Sequence, residues 1–312
     1  MAQELLKIVL YLIIAGFLLT ALVGLLASWV DRKLSARLQW RVGPPWYQPF
    51  ADLIKLLGKE IVVPQGATRW LFLSAPLLGL STVILVSTML WLLNLDPKVS
   101  FIGDLIVVLY LLTIPSLALI LGGSASGNPL AALGASREMK LILAYELPFV
   151  LATFTVVAKV GSILFGNIVS YQASHGMMVL SFSGLIAFLV SLLVVQAKLG
   201  FVPFDIPEAE QEIMGGPLLE YSGAALAIFK LTKAMLLFVL PIFLITLYLG
   251  GMDFSSAIGI LWLAVKYVII LTLIILIKNT NPRLRTDQAL RFFWGPVTTV
   301  AVIGFILAWL GW

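Results

Sequence analysis

The chain has 312 residues, of which 61% are hydrophobic and only 11% charged, with a mean hydropathy of +1.07. A soluble domain carries about 25% charged residues, so this composition excludes a soluble globular enzyme and indicates an integral membrane protein. Cys is absent and His occurs once, which removes disulfides, thiolate-held iron–sulfur clusters and a cysteine nucleophile from this chain. Its net charge of +5 belongs to membrane topology rather than to nucleic-acid binding.

Apolar runs of bilayer-crossing length fall at about 5–30, 70–94, 101–122, 140–160, 177–199, 221–248, 257–278 and 292–311. The predicted fold is therefore an all-α integral membrane protein, one polytopic domain over 1–312 with about eight transmembrane helices. The first run is too long for a signal-peptide core and shows no small-residue cleavage pattern, so it reads as a retained span. An even count places both termini on one side. The connections at 31–69, 123–139, 200–220 and 279–291, with their edges, hold 14 of the 20 Lys and Arg residues, against Lys7, Lys98 and Lys159 on the other side. That bias puts these loops inside and both termini outside. No internal repeat is visible, which argues against an inverted-repeat transporter.

The first inner loop contains "WYQPFADLIKLLGKE", in which Trp46, Phe50, Leu53 and Leu57 fall on one helical face. It predicts an amphipathic helix on the inner surface, serving either as a plain surface anchor or as a partner-docking element. Pro115, Pro148 and Pro241 lie within spans and predict kinks. Trp29, Trp70, Trp91 and Trp312 near span ends suit an interfacial belt, and His175 falls in an outer loop.

Charges also appear where lipid should exclude them. Glu146 lies inside the fourth span, Lys230 and Lys233 share a face of the sixth, and Lys266 lies in the seventh. An ionised side chain at mid-span costs about 2.5–3.5 kcal/mol. Such a group either marks an ion path or is accommodated by snorkelling or a structural ion pair.

The third inner loop, "GFVPFDIPEAEQEIMGGPLLEYSG", concentrates Asp205, Glu208, Glu210, Glu212 and Glu220 without a Lys or Arg among them. Pro203 and Pro207 on one side and Gly215-Gly216-Pro217 on the other bound a short segment, with Glu208 and Glu212 spaced to share a helical face. Carboxylates crowded in a partly desolvated pocket raise one another's pKa values and can relay protons near neutral pH. The same acids in a solvated loop would only dock a basic partner, and both readings stand at this point.

The segments "DRKLSARLQWRVGPP", "PFADLIKLLGKE", "GASREMKLILAYELPF" and "PFDIPEAEQEIMGGPLLEYSG" resemble the signature stretches of the subunit 1 (H-type) membrane protein of respiratory complex I and of related ferredoxin-linked complexes. The resemblance implies a membrane anchor whose inner loops meet a peripheral redox arm, cluster-carrying and large catalytic subunits included. It also implies antiporter-like and small membrane subunits as neighbours within the bilayer. Any iron–sulfur clusters and a nickel–iron or related metal site would lie in those partners, so this chain itself has no assigned catalytic centre or cofactor. Glu146, Asp205, Glu208, Glu210, Glu212 and Glu220 match the family's proton path, with Lys230 and Lys233 beside it. Arg32, Arg37, Arg41, Gly43, Pro44, Trp46, Phe50 and Arg137 fall in the docking segments.

Three features place the chain within the family. Gly43-Pro44-Pro45 runs straight into "WYQPF" where complex I members resemble one another in a Gly-rich extension. Lys233 stands thirteen positions after Glu220, where quinone-using relatives carry an acid. "GGSASGNPLAALGASREM" resembles the hydrogenase-type relatives. Together they imply a ferredoxin-linked hydrogenase or sulfur-reducing complex rather than the quinone-chamber subunit of complex I proper. The quinone-chamber subunit stays the alternative, with a purely structural anchor and an independent secondary transporter behind it.

Overall fold

The structure, a computed structural model, describes residues 9–254 and 256–311. Lys7, the first residues of the first span and Trp312 lie outside them. Ten helices of seven or more residues organise the described chain: α1 Val9–Leu38, α2 Gln48–Leu57, α3 Arg69–Leu95, α4 Asp104–Ala125, α5 Pro129–Val160, α6 Phe165–His175, α7 Phe182–Lys198, α8 Gly223–Tyr248, α9 Ala257–Thr280 and α10 Thr286–Trp309. Seven of these are long and apolar enough to cross a membrane, and α7 is a shorter apolar helix. The eight expected spans are thus all present as helices, and no strand occurs among the described residues.

Helix α8 forms the axis of the bundle. Its C-terminal half is buried on every face from Met235 to Tyr248, as expected of a helix that is apolar all round. Helices α1, α3, α7 and α9 pack around it, while α5 is clasped by α4, α7 and α10. One apolar core runs along this axis. A second cluster, with Phe72, Tyr221 and Phe229 at its centre, closes the end where α3, α4 and α8 converge.

Several boundaries differ from the sequence expectation. The region 123–139 is mostly not a loop: α5 begins at Pro129, with Asn128 as its N-cap accepting from the Leu130 amide at 2.8 Å. Arg32 and Arg37 likewise lie on the last turns of α1. Helix α4 is interrupted at Leu112–Thr113, and Pro115 stands in the first turn after the break. Pro148 and Pro241 sit inside helices that continue across them, because packed neighbours sustain a helix through the lost hydrogen bond.

The surface helix α2 forms as expected, with Phe50 and Leu53 against the core, but Trp46 and Leu57 are exposed. Trp91 is not at a lipid interface. It is stacked between Phe238 and Phe254, at centroid distances of 6.4 and 5.5 Å. Trp29 donates to the Pro44 carbonyl, while Trp70 is exposed at the start of α3. His175 ends α6, exposed and stacked on Tyr171.

Candidate functional site

The acidic segment is built by its own backbone chemistry. Residues 199–209 are held outside regular helix, and a single turn follows at Glu210–Ile213. Met214, Gly215 and Gly216 then take left-handed conformations, which glycine tolerates best. The segment is pinned from outside as well. The Leu284 amide donates to the Pro203 carbonyl at 3.0 Å, and the Arg283 guanidinium donates to the Asp205 carbonyl. At the far end Tyr221 stacks on Phe72 at 4.1 Å and donates to its carbonyl at 2.9 Å.

The fold turns this segment inward over a cavity of about 180 Å³ between α4, α5, α7 and α8. Glu138, Lys198, Asp205, Glu208 and Lys233 all line it, with Ser116 beside Glu138. Lys233 pairs with Glu208 at 2.6 Å. Lys198, whose side chain is 2% exposed, reaches Glu146 at 3.4 Å. Its ammonium also lies over the rings of Tyr145 and Phe149, at 4.8 and 4.9 Å, a placement that helps hold a desolvated cation.

The charges continue in the other direction. Lys233 also lines a second cavity of about 220 Å³ with Asp31, Arg32 and Lys230. Asp31 is buried and accepts from Lys278 at 2.7 and 3.0 Å. The Phe201 ring lies between Lys278 and Lys233, at 4.4 and 5.8 Å from their ammonium groups. The result is a row of charges of both signs: Asp31, Lys278, Lys233, Glu208, Glu138, Lys198 and Glu146. It crosses the bundle at the end where α1, α7 and α9 finish and α5 and α8 begin.

Two expectations are corrected here. The acids are not without cations, because α5, α7 and α8 bring Arg137, Lys198 and Lys233 to carboxylates that the sequence shows unpaired. Nor do Glu208 and Glu212 share a helical face, since Glu208 precedes the helical turn. Glu208 faces the cavity, whereas Glu212 is exposed and pairs with Arg137 at 2.5 Å. Glu220 accepts from Asn128 at 2.5 Å, and Glu210 is exposed. Glu210, Glu212 and Glu220 therefore do not line the cavity.

Electrostatics separate the acids further. Burial pushes the Asp205 carboxyl above its usual range against the opposing pull of Lys233. The hydrogen bond from Arg137 holds Glu212 below its usual range. Burial presses Asp52 upward, yet hydrogen bonds from Arg32 and Gln48 outweigh it and hold the carboxyl low. Lys266 plays no part in the row. It donates to the Leu249 carbonyl at the opposite end of the bundle, at 2.5 Å.

Sequence reasoning missed Glu138, Asp31, Lys198 and Lys278 as members of the row. Glu138 had a usable signal: it stands seven and eight residues before Tyr145 and Glu146, spacings that share a helix face once α5 is started at Pro129. The docking residues occupy the same end of the bundle. Arg37, Arg41 and Trp46 lie at its surface and Arg32 pairs with Asp52 at 2.9 Å. Gly43 takes a left-handed conformation, and Phe50 packs inward. Trp40, not anticipated, is 98% exposed among them.

The whole chain also matches known proteins. A family model described as NADH dehydrogenase matches residues 9–309. This chain belongs to the NADH dehydrogenase family, as one of its H-type membrane subunits. The H-type subunit of NADH-quinone oxidoreductase from Thermomicrobium roseum is 36% identical over 330 aligned positions, covering 97% of this chain and 96% of that protein. Subunit 8 of the Thermus thermophilus enzyme is 34% identical, covering 95% and 86%. Among solved structures, a chain of the membrane-bound sulfane sulfur reductase, an archaeal respiratory membrane complex, superposes with a TM-score of 0.88 at 31% identity. That alignment covers 97% of this chain and 99% of the other. The family assigns the chain to a multi-subunit respiratory membrane complex, and the charged row is the feature within it that invites a function.

Proposed function

We propose that this chain anchors the peripheral redox arm of a ferredoxin-linked respiratory complex and couples its electron transfer to ion movement across the plasma membrane. The observation that carries the reading is the row from Asp31 to Glu146, in which Glu138 lies buried between two Lys-centred ion pairs around one cavity. Charged groups taken out of water are costly. A row of them beside a cavity provides sites at which a proton can be exchanged between neighbours of opposite preference. A change in charge delivered at the Asp31 end, or at Asp205 beside Lys233 and Glu208, would shift each pair in turn, because the partners are close and poorly screened.

In this reading the inner loops face the cytoplasm and both termini face outward, in keeping with the bias of basic residues. Arg37, Arg41, Trp40 and Trp46 form the surface on which cluster-carrying and large catalytic subunits sit. A fully exposed Trp among arginines is the kind of patch that partners cover. Iron–sulfur clusters and a nickel–iron or related metal site belong to those partners, and antiporter-like and small membrane subunits receive the charge signal beyond Glu146. The match to a chain of a sulfane sulfur reductase supports the sulfur-reducing side of this reading. Lys233 supports the non-quinone branch, since it fills the cavity position where an acid was expected of quinone users. The second reading, a quinone-chamber subunit, is favoured by the names of the two bacterial relatives.

The test is made in the assembled complex with Glu138→Gln and Glu146→Gln. Both variants should assemble and keep electron transfer, while the ions moved per electron fall severalfold. Wild-type stoichiometry in both would end the coupling reading and leave a structural anchor. Saturable labelling of the Lys233 cavity by a photoreactive quinone would instead favour the quinone chamber.

A further inference from the structure

A third cavity, of about 450 Å³, lies at the inner end between α5 and the 281–285 connection that leads into α10. Arg137, Lys140, Arg283 and Arg285 line it against two carboxylates, Glu212 and Asp287. Arg137 is committed to Glu212 and Arg283 to the Asp205 carbonyl. Lys140 and Arg285 are exposed and form no ion pair among the described residues. The lining therefore holds four cations against two carboxylates, with Lys140 and Arg285 the two that no ion pair among the described residues occupies.

The remainder of the wall is apolar, from Ile206, Leu284 and Leu290. The apolar character continues down the bundle. Lys140, Leu143 and Leu147 share one face of α5 by their spacing, and the two leucines are 61% and 51% exposed. Trp294 of α10 lies beside them, 60% exposed and donating to the Leu143 carbonyl at 3.2 Å. The cationic cavity thus adjoins an exposed apolar strip shared by two membrane-length helices. Inorganic phosphate would use the cations and leave the strip and most of the volume unused.

We propose that this cavity binds the phosphate of an anionic phospholipid, with Lys140 and Arg285 as its principal contacts and the acyl chains lying along Leu143, Leu147 and Trp294. The proposal is independent of ion coupling, since none of its contacts belongs to the charged row. Basic pockets between membrane helices recognise anionic headgroups through this combination of charge and adjoining apolar surface, and the volume falls in the range of roughly 300–1,000 Å³ typical of ligand sites.

The test uses the full chain, alone and in its complex, delipidated in detergent and titrated with phosphatidylglycerol, phosphatidylcholine or inorganic phosphate. Bound lipid is counted by native mass spectrometry. Phosphatidylglycerol should be retained as a single tight adduct, and neither of the others should compete. Lys140→Gln with Arg285→Gln, both on exposed side chains, should weaken that adduct about fivefold per charge, roughly 25-fold together. Lys59→Gln, away from the cavity, should change nothing. Equal retention of the two lipids, displacement by phosphate alone, an unaffected double variant, or loss of the adduct when partner subunits bind would each overturn the assignment.

Discussion

Lys233 sets the balance of the row, because it faces Glu208 directly and Asp205 at longer range from between two cavities. Burial nonetheless keeps the Asp205 carboxyl above the ordinary range, against the pull of Lys233 and of Arg283. The sign of the consequence is fixed. A raised folded-state pKa means that Asp205 favours the fold below its unfolded pKa, and that this contribution disappears as pH rises through the folded value. Asp205→Asn removes the charge, so it should stabilise the protein near neutral pH and be indistinguishable from wild type at strongly acidic pH. Unfolding midpoints in mixed micelles across that window measure this, and a variant less stable than wild type at neutral pH would show that Asp205 is held by its cations after all. The acid cluster itself was legible from "PFDIPEAEQE". Its pairing was not, because Arg137 and Lys233 belong to helices that approach only through tertiary packing.

Helix α5 carries Arg137, Glu138, Tyr145 and Glu146, so the seating of its first turns on the acidic segment decides where all of them point. That seating depends on Gly134. A Cβ built there would lie 2.6 Å from Pro217 Cδ and 2.9 Å from Gly216 Cα, with nothing soft to yield. Gly134→Val should therefore push the 207–217 segment off α5, at about 1–3 kcal/mol for the overpacking. It should also separate Glu208 from Glu138. Hydrogen exchange should rise across 205–220, whereas Leu133→Val, at an exposed neighbour, should leave it unchanged. The start of α5 was available in the sequence as Asn128-Pro129, a capping residue followed by the proline that favours a first helical turn. The polar stretch "ASREMK" instead read as loop, since periodicity weighs apolar content and this turn buries only Ala135 and Glu138. The break in α4 and the surface helix α2 were legible because proline and amphipathic spacing act locally.

At the scale of the whole molecule, one asymmetry organises everything: the charged row, the basic cavity, the exposed Trp40 surface and the long loops share one end of the bundle. The other end is closed by hydrogen bonds with backbone groups, made by the buried Asp104 carboxylate and the Lys266 ammonium as well as by neutral amides. Asn94 accepts from the Met252 amide at 2.7 Å, and Gln172 accepts from the Gly250 amide at 2.8 Å while donating to the Thr246 carbonyl at 2.9 Å. Span number and order were readable from hydropathy, and the grouping of alternate loops at one end follows from successive spans crossing in opposite directions. Orientation rests on charge alone, through the preference of Lys- and Arg-rich loops for the cytoplasmic face. The chain lacks cysteine, so each introduced thiol reports a single position. Gln39→Cys and Met214→Cys, both exposed at the charged end, should react with a membrane-impermeant maleimide only in inverted vesicles. Lys98→Cys and Ser174→Cys, exposed at the other end, should react only in intact cells. The reverse pattern would place the charged row at the outer surface, where no cytoplasmic electron donor could reach it, and the proposed coupling to an inner redox arm would have to be abandoned.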